Sequence, residues 1–358
     1  MLPEHAAKPQ EVQIGRRTVG RGRPTYIVAE LSGNHNGSLE RALETVRAAA
    51  DAGADAIKLQ TYTADTMTLR SSDPSFRVPG TGPWAGRELY DLYEEAHTPW
   101  HWHPALFEEA ASRGLDIFST PFDATAVEFL ETLHAPVYKI ASFEITDDPL
   151  LRVVASTGKP VIVSTGMASL EEIAHARDTL LRAGATSMVF LKCTSSYPAP
   201  DDSMALSSLP LLAAITNSPV GLSDHSLGNT AAIVGVSLGA CMIEKHFTLA
   251  RADGGVDSHF SLEPQEFSCL VRDVRRAEAM IGLPTFGVGQ AEEGNIVFRR
   301  SLYTTAFIAA GERLGSHNVR AIRPGFGLSP RYSDILLGAC ASVDIPAGTP
   351  LRWEHITG

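Results

Sequence analysis

Short apolar runs recur along the chain, and a segment with helically spaced apolar residues follows most of them. Continuous runs rich in β-branched residues are typical of parallel strands that are buried on both faces. The eight runs are YIVAEL (26–31), AIKLQT (56–61), DIFSTPF (116–122), VYKIAS (137–142), VIVSTG (161–166), MVFLKCT (188–194), VGLSDHS (220–226) and MIEKHFT (242–248). Eight strand–helix units predict an α/β fold of the (β/α)8 TIM-barrel type. An open doubly wound sheet is disfavoured, because its first strand usually leads into a Gly-rich fingerprint.

Two segments lie outside this repeat. Residues 62–98 form a long connection after the second strand, and on a barrel such a connection lies at the catalytic face, so we expect a lid or substrate loop. The pattern changes again near residue 283, so residues 1–283 are predicted to be the barrel domain. We interpret residues 284–299 as a linker and residues 300–358, with their short strands and turns, as a small mainly-β domain.

Composition narrows the class of protein. A formal net charge of −11, with 44% hydrophobic and 20% charged residues, is ordinary for a globular enzyme and argues against binding to nucleic acid or to an anionic membrane. Residues 1–25 contain no apolar signal-peptide core, and the four cysteines show no CxxC spacing. We therefore expect a soluble, cytoplasmic protein with reduced thiols.

Reactive side chains follow the apolar part of each predicted strand. Because the carboxyl ends of barrel strands form one face, these side chains are expected to converge on a single pocket. They are Glu30, Lys58, Gln60, Ser119, Thr120, Lys139, Ser142, Ser164, Thr165, Thr194, Ser195, Tyr197, Ser223, Asp224, His225, Glu244 and His246.

His225 and His246 lie near the ends of the last two strands, which are neighbours in a barrel. Two imidazoles on adjacent strands can share a divalent metal, with Asp224 and Glu244 as candidate groups to orient them. Nitrogen ligands combined with oxygen ligands favour Mn²⁺, with Mg²⁺ or Co²⁺ as alternatives, over Ca²⁺.

Lys58 and Lys139 place positive charge inside an acidic protein. Together with nearby hydroxyl groups they could hold a phosphate and a carboxylate without a Gly-rich loop. Alternatively, one lysine could form a Schiff base, as in barrel aldolases. The hydroxyl-rich surroundings favour the anion site, and the aldolase remains open.

The motifs AELSGNHNGS, KLQTY, FSTPFD, YKIAS, VSTGMAS, LKCTSSYPAP, GLSDHS and EKHFT, in this order, resemble the sialic acid synthase family. The tail RRSLYTT…RPGFGLSP is similar to that family's antifreeze-like (SAF) domain. The resemblance runs from about residue 12 to the end of the chain. It implies a transferase that condenses phosphoenolpyruvate (PEP) with an amino sugar and water to give a nonulosonic acid and phosphate.

The resemblance also implies roles for individual residues. His225 and His246 would bind the metal. For the chemistry that the resemblance implies, Glu30 is our first candidate for the general acid–base and Asp257 the second, with the metal as the alternative activator of the attacking water. The PEP-binding residues would be Lys58, Thr120, Lys139, Ser142, Ser164 and Ser223, and the residues facing the sugar would be Glu30, Gln60, Tyr197 and Asp257. Arg323 would enter the pocket of a partner subunit, because members of this family form domain-swapped homodimers.

The segments LSGNHN, LYDLYEEAHTPWHWH and CTSSYPAP favour the branch of the family that uses 2,4-diacetamido-2,4,6-trideoxy-altrose. Members that use N-acetylmannosamine tend to have Asn at the position of Ser195, so a substrate contact there is not carried over directly. N-Acetylmannosamine and the legionaminic acid precursor remain alternative sugars. A carbohydrate- or ice-binding protein that works through residues 300–358 is the alternative outside the enzyme class.

Overall fold

The computed structural model describes residues 11–80 and 82–357 and divides the chain into two compact units, Met1–Gly282 and Leu283–Gly358. The first unit begins with an antiparallel hairpin of β1 (Glu11–Ile14) and β2 (Arg17–Gly20). No helix among the described residues is long and apolar enough to cross a membrane.

Eight parallel strands follow and close into a barrel, which confirms the predicted fold class. They are β3 (Tyr26–Glu30), β4 (Ala56–Thr61), β5 (Asp116–Pro121), β6 (Tyr138–Ile140), β7 (Val161–Ser164), β8 (Met188–Cys193), β9 (Val220–Asp224) and β10 (Met242–His246). Strand β10 pairs with β3 and closes the ring.

The barrel is enclosed by helices whose apolar faces pack on the outside of the strands. The helices of this unit are α1 (Leu39–Asp51), α2 (Ala64–Met67), α3 (Leu89–Ala96), α4 (His103–Ser112), α5 (Ala124–Thr132), α6 (Asp148–Ser156), α7 (Leu170–Arg182), α8 (Leu209–Thr216), α9 (Thr230–Ser237) and α10 (Pro264–Ile281). Helix α7 shows why local sequence defines such boundaries: Ser169 and Glu172 form a reciprocal capping box at its start.

Apolar side chains from alternate strand positions form a buried cluster, which includes Val28, Phe118, Ile162, Leu191 and Met242. The polar residues of the same strands come later in sequence, nearer the carboxyl ends. Strand register brings these ends level, because Glu30 is paired with both His246 of β10 and Lys58 of β4. The barrel thus has a packed apolar interior beneath a polar end.

The second unit is small and mainly β. It contains two antiparallel pairs, β11 (Ser301–Thr304) with β12 (Val319–Ile322) and β13 (Cys340–Ala341) with β14 (Ile356–Thr357), and one short helix, α11 (Ser333–Leu336). Its own core is formed by Leu302, Ile308, Leu314, Val319, Leu336, Ala341, Ile345 and Leu351.

Candidate active site

Nearly all of the strand-end polar residues are buried at the carboxyl end of the barrel. Glu30 is fully buried, and Lys58, Lys139 and Ser223 are each at most 4% exposed. Charged groups are buried in this way only when they are paired with one another or are hydrogen-bonded. Their partners therefore define the chemistry of the site.

Glu30 and Lys58 form a direct ion pair. Lys58 Nζ lies 2.6 Å from Glu30 Oε2, and the Gln60 amide donates to Glu30 Oε1 at 2.8 Å. Lys58 Nζ also donates to the Thr120 hydroxyl at 3.3 Å. Burial raises the pKa of Glu30, an effect that the ammonium of Lys58 opposes and the carboxylate of Glu244 reinforces.

Lys139 is paired with Glu244, a residue to which sequence reasoning gave a different role. Lys139 Nζ donates to both carboxylate oxygens of Glu244, at 3.0 and 3.1 Å, and the Ser223 hydroxyl donates to Oε1 at 3.1 Å. Lys58 lies 3.8 Å from the same oxygen. Burial would raise the pKa of Glu244, but the charges of Lys139 and Lys58 outweigh burial and lower it to about 2.

The two lysines are therefore neutralised by two carboxylates within the folded chain. The sequence predicted fixed positive charge at Lys58 and Lys139, and the structure adds the counter-charges. Glu244 was expected to orient a histidine, yet its contacts are with lysines. Sequence placed it at a strand end but could not identify its partner, since Lys139 is 105 positions away.

His225 and His246 face each other, with ring centroids 5.3 Å apart. His225 Nδ1 lies 3.1 Å from the Thr194 carbonyl oxygen, which can only accept, so Nδ1 carries a proton and Nε2 is the nitrogen left for a ligand. Burial would lower the pKa of His225, but the side chain of Cys193 and this carbonyl outweigh burial and raise it. Burial and the neighbouring positive charges hold the pKa of His246 well below its ordinary value, so this second ring is neutral.

These features fit a divalent metal. Neutral imidazole is the ligand form of histidine, and Nδ1 of His246 is buried with no hydrogen-bond partner among the described residues. Residues 11–80 and 82–357 contain no group of three or more His, Cys, Asp or Glu side chains that could hold a metal ion. The protein thus offers two imidazole donors, and the other positions would fall to water or substrate oxygen.

Asp224 differs from its expected role. Its carboxylate accepts from Lys245 Nζ at 2.7 Å and from the backbone and hydroxyl of Ser226 at 2.9 and 2.6 Å. Lys245 also donates to the Ser226 carbonyl oxygen at 2.5 Å. This buried pair joins β9 to β10 directly beside His225 and His246, so Asp224 supports the backbone of the histidine pair rather than an imidazole ring.

Hydroxyl groups form a small cradle around Gly166, which follows β7. The Gly166 amide donates to the Ser142 hydroxyl at 3.0 Å, and a Cβ added at Gly166 would lie 2.2 Å from Ser195 Oγ and 2.7 Å from Ser142 Oγ. The Ser164 hydroxyl is buried with no partner among the described residues. Only a glycine at position 166 allows Ser142 and Ser195 to approach the backbone this closely. The unpaired hydroxyl of Ser164 leaves a hydrogen-bonding position for a ligand.

Aromatic and acidic residues lie on the side of the site where His246 is. Asp257 is hydrogen-bonded to the Ser32 hydroxyl, and its Oδ2 lies 3.8 Å from His246 Nδ1; burial raises its pKa. The Tyr197 ring packs on His225 with centroids 4.4 Å apart. The structure therefore brings two of the four predicted sugar-facing residues, Tyr197 and Asp257, next to the histidine pair.

One acidic residue was missed by the sequence reasoning. Glu144 follows β6, its Oε2 is buried with no partner in the described chain, and burial raises its pKa to about 7. The only sequence signal was its position two residues after Ser142. Arg323, by contrast, belongs to the second unit, where it directly follows β12.

Comparison with known proteins shows the family to which the chain belongs. The family model of the NeuB family matches residues 45–285, and that of the SAF domain matches residues 299–357. This chain belongs to the NeuB family. A pseudaminic acid synthase of Campylobacter jejuni is 45% identical over 95% of this chain and 98% of its own length, and one of Helicobacter pylori is 41% identical over 93% and 98%. A solved sialic acid synthetase of Leptospira borgpetersenii is 31% identical, with a TM-score of 0.72, over 80% of this chain and 95% of that one.

Proposed function

We propose that this NeuB-family protein is a pseudaminic acid synthase. It condenses PEP with 2,4-diacetamido-2,4,6-trideoxy-β-L-altropyranose and water to give pseudaminic acid and phosphate. The observation that carries the proposal is the buried Glu30–Lys58 and Lys139–Glu244 pairs beside the facing imidazoles of His225 and His246. The similarity to two pseudaminic acid synthases over almost the whole chain supports this choice of sugar.

PEP would bind where the two lysines meet the hydroxyl cradle. Its phosphate and carboxylate would take hydrogen bonds from Lys58 and Lys139, together with the hydroxyls of Thr120, Ser142, Ser164, Ser195 and Ser223. The carboxylates that now pair with the lysines keep those side chains extended and charged. PEP therefore meets donors that are already ordered.

In the reaction, C3 of PEP forms a bond to the aldehyde carbon of the open-chain sugar while positive charge develops at C2. Water adds at C2, and the C2–O bond to phosphate then breaks. Glu30, whose burial raises its pKa, would take the proton of the attacking water, and Lys58 and Lys139 would stabilise the departing phosphate. Asp257 is the second candidate for proton transfer, on the sugar side.

His225 and His246 would hold a divalent cation, for which we propose Mn²⁺. When bound, it supplies Lewis-acid polarisation of the sugar aldehyde. The imidazole of His246 is kept neutral, and that of His225 has a proton fixed on Nδ1, so Nε2 of His225 and the unpaired Nδ1 of His246 are the candidate donor atoms.

Gln60 and Tyr197 would contact the sugar. For the quaternary state, we propose a homodimer in which domains are exchanged and Arg323 of one chain completes the site of the other. Large exposed apolar side chains near the junction of the two units support association, since Leu283 is 87% and Phe286 fully exposed.

The test is phosphate release from PEP with three sugars offered separately: the trideoxy-altrose, N-acetylmannosamine and the legionaminic acid precursor. Each reaction is run with Mn²⁺ and with EDTA, and the products are identified by mass. We expect metal-dependent phosphate release with the trideoxy-altrose. Turnover of another sugar would retain the chemistry and change the substrate. No phosphate from any sugar, or a borohydride-trapped lysine adduct, would refute the proposal in favour of an aldolase or a binding protein.

A lysine variant and its matched control test the site itself. Lys139→Met should lower kcat/KM for PEP at least about a hundredfold, because it removes a charge-assisted contact and leaves Glu244 with one fewer partner. Lys192→Met changes a lysine on β8 whose ammonium, among the described residues, donates only to the Cys193 carbonyl oxygen, at 2.9 Å. This control should stay within about threefold of the unmodified protein, and equal losses in both variants would contradict the assignment.

A further inference from the structure

The long connection after β4 carries a small hairpin at residues 77–88. The Val78 amide donates to the Arg87 carbonyl and the Gly86 amide to the Val78 carbonyl, both at 2.9 Å, and Arg77 pairs with Glu88 at 2.6 Å. The tip residues Gly82, Pro83, Ala85 and Gly86 are exposed, whereas Trp84 is partly buried. Trp84 is therefore the side chain that anchors this tip to the barrel.

The anchor lies against the loop that carries Asp257. The Trp84 indole N–H donates to the Val256 carbonyl oxygen at 2.8 Å, one residue before Asp257. The indole ring packs against Tyr197, with centroids 5.6 Å apart, and against the edge of Phe260 at 6.4 Å. Trp84 thus contacts a ring that packs on His225, from a loop that follows a barrel strand, and a residue in such a position can contact a ligand as well as hold the loop.

The aromatic rings form a continuous path that leads away from the histidine pair. Tyr197 is 4.4 Å from His225 and 5.2 Å from Phe260, and Phe260 is 4.7 Å from His246. Trp84 is connected to the histidine pair through its contacts with Tyr197 and Phe260. A molecule whose reacting end is at the histidines and which runs along Tyr197 would bring its far end to Trp84.

We propose that Trp84 is a specificity-determining residue that packs against the apolar far end of the sugar. This inference rests on the proposed function and deepens it, because it assigns the recognition of a 6-deoxy sugar to one side chain. In the trideoxy-altrose the carbon farthest from the aldehyde is a methyl group, and in N-acetylmannosamine it carries a hydroxyl. An indole face favours the methyl group and offers the hydroxyl no partner in exchange for water.

The first experiment measures kcat and KM for both sugars in the unmodified protein and in Trp84→Ala and Trp84→Phe. We expect Trp84→Ala to raise KM for the trideoxy-altrose about tenfold and to lose most of the preference over N-acetylmannosamine, while KM for PEP changes less than about twofold. Trp84→Phe retains a ring but not the N–H and should keep most of the preference. Trp353→Ala, at a half-exposed indole in the second unit, is the matched control and should change neither value.

A binding measurement separates the contact from catalysis. Calorimetric titration with the alditol of the trideoxy-altrose, which has no aldehyde and does not react, should show weaker binding to Trp84→Ala by a similar factor. A purely structural role, acting through the Asp257 loop, would lower kcat and leave alditol binding unchanged. That result, or an unchanged preference between the sugars, would overturn the proposal.

Failure of the proposed function has a different signature. If the unmodified protein turned over only another amino sugar, the pseudaminic assignment would be wrong, and the Trp84 variants would be measured with that sugar. A rise in KM confined to that sugar would still support Trp84 as a sugar contact. Equal effects on the KM values of the sugar and PEP would exclude it.

Discussion

The buried ion pair between Lys245 and Asp224 provides a quantitative test of how the site is held together. Their side chains are 1% and 0% exposed, and the 2.7 Å contact crosses from β10 to β9. Removing one partner of such a pair leaves an uncompensated charge in the interior, which costs about 3–5 kcal/mol. In Lys245→Met, Asp224 keeps its two hydrogen bonds from Ser226, so we expect a loss near the lower limit, about 3 kcal/mol.

The assay is thermal unfolding of the barrel domain, followed by far-UV circular dichroism. A loss of about 3 kcal/mol corresponds to a fall in Tm of about 6–12 °C for a domain of this size. Lys192→Met is again the matched control and should cost about 1 kcal/mol, because Lys192 is only half-buried and has a carbonyl rather than a carboxylate as its partner. The double variant Asp224→Asn/Lys245→Met should be more stable than the sum of the single changes predicts, since it removes both charges.

The pair also fixes the strand ends on which His225 and His246 lie. Lys245→Met should therefore weaken Mn²⁺ binding about tenfold in a direct titration, without any change in the imidazoles themselves. A loss of stability below about 1 kcal/mol, or one equal to that of Lys192→Met, would refute the reasoning about the buried charge. If Lys245→Met is destabilised but binds Mn²⁺ with unchanged affinity, the Lys245–Asp224 pair has only a structural role.

Two further predictions follow from the hydroxyl cradle and from Glu144. Gly166→Ala places a Cβ 2.2 Å from Ser195 Oγ, so KM for PEP should rise at least about tenfold in steady-state kinetics. The control is Gly235→Ala, whose Cβ would have contacts of 3.4 Å and which should leave this KM unchanged. Equal KM values in the two variants would contradict the proposed cradle. Burial raises the pKa of Glu144 from 4.5 to about 7, so the folded state retains a proton that the unfolded state has lost between these values. The free energy of unfolding should then fall by up to about 3 kcal/mol as pH rises from 4.5 to 7. Unfolding curves of Glu144→Gln should lack this fall. An identical pH dependence in the variant would show that Glu144 does not cause the loss of stability.

Much of the barrel was predictable because its signals are local. Continuous apolar runs defined all eight strands, and the capping box of Ser169 and Glu172 defined the start of α7. Some strands end before the corresponding apolar run of the sequence does, because the polar residues at the end of the run leave the sheet. Strand β6 ends at Ile140, for example, because a 3-10 turn begins at Ser142.

The convergence of the site was also predictable, since barrel topology alone brings strand ends together. The pairing within it was not. Lys139 meets Glu244 across the barrel, and nothing in the sequence between them specifies that contact. The role of Asp224, however, could have been inferred: successive strand residues alternate between faces, so Asp224 and His225 point in different directions.

The pairing of the two lysines with Glu30 and Glu244 explains how a protein of net charge −11 can bury two lysines in the site that we propose for PEP. Lys58 and Lys139 with Glu30 and Glu244 carry no net charge together, which limits the desolvation cost of burying them. For an anion to bind one of these lysines, the carboxylate that is paired with that lysine must release it. Glu244 is held by both lysines and its pKa is low, whereas the pKa of Glu30 is raised by burial and by Glu244. Of the two carboxylates, Glu30 is therefore the one that we expect to release its lysine, and once released it is the base that we propose for the attacking water.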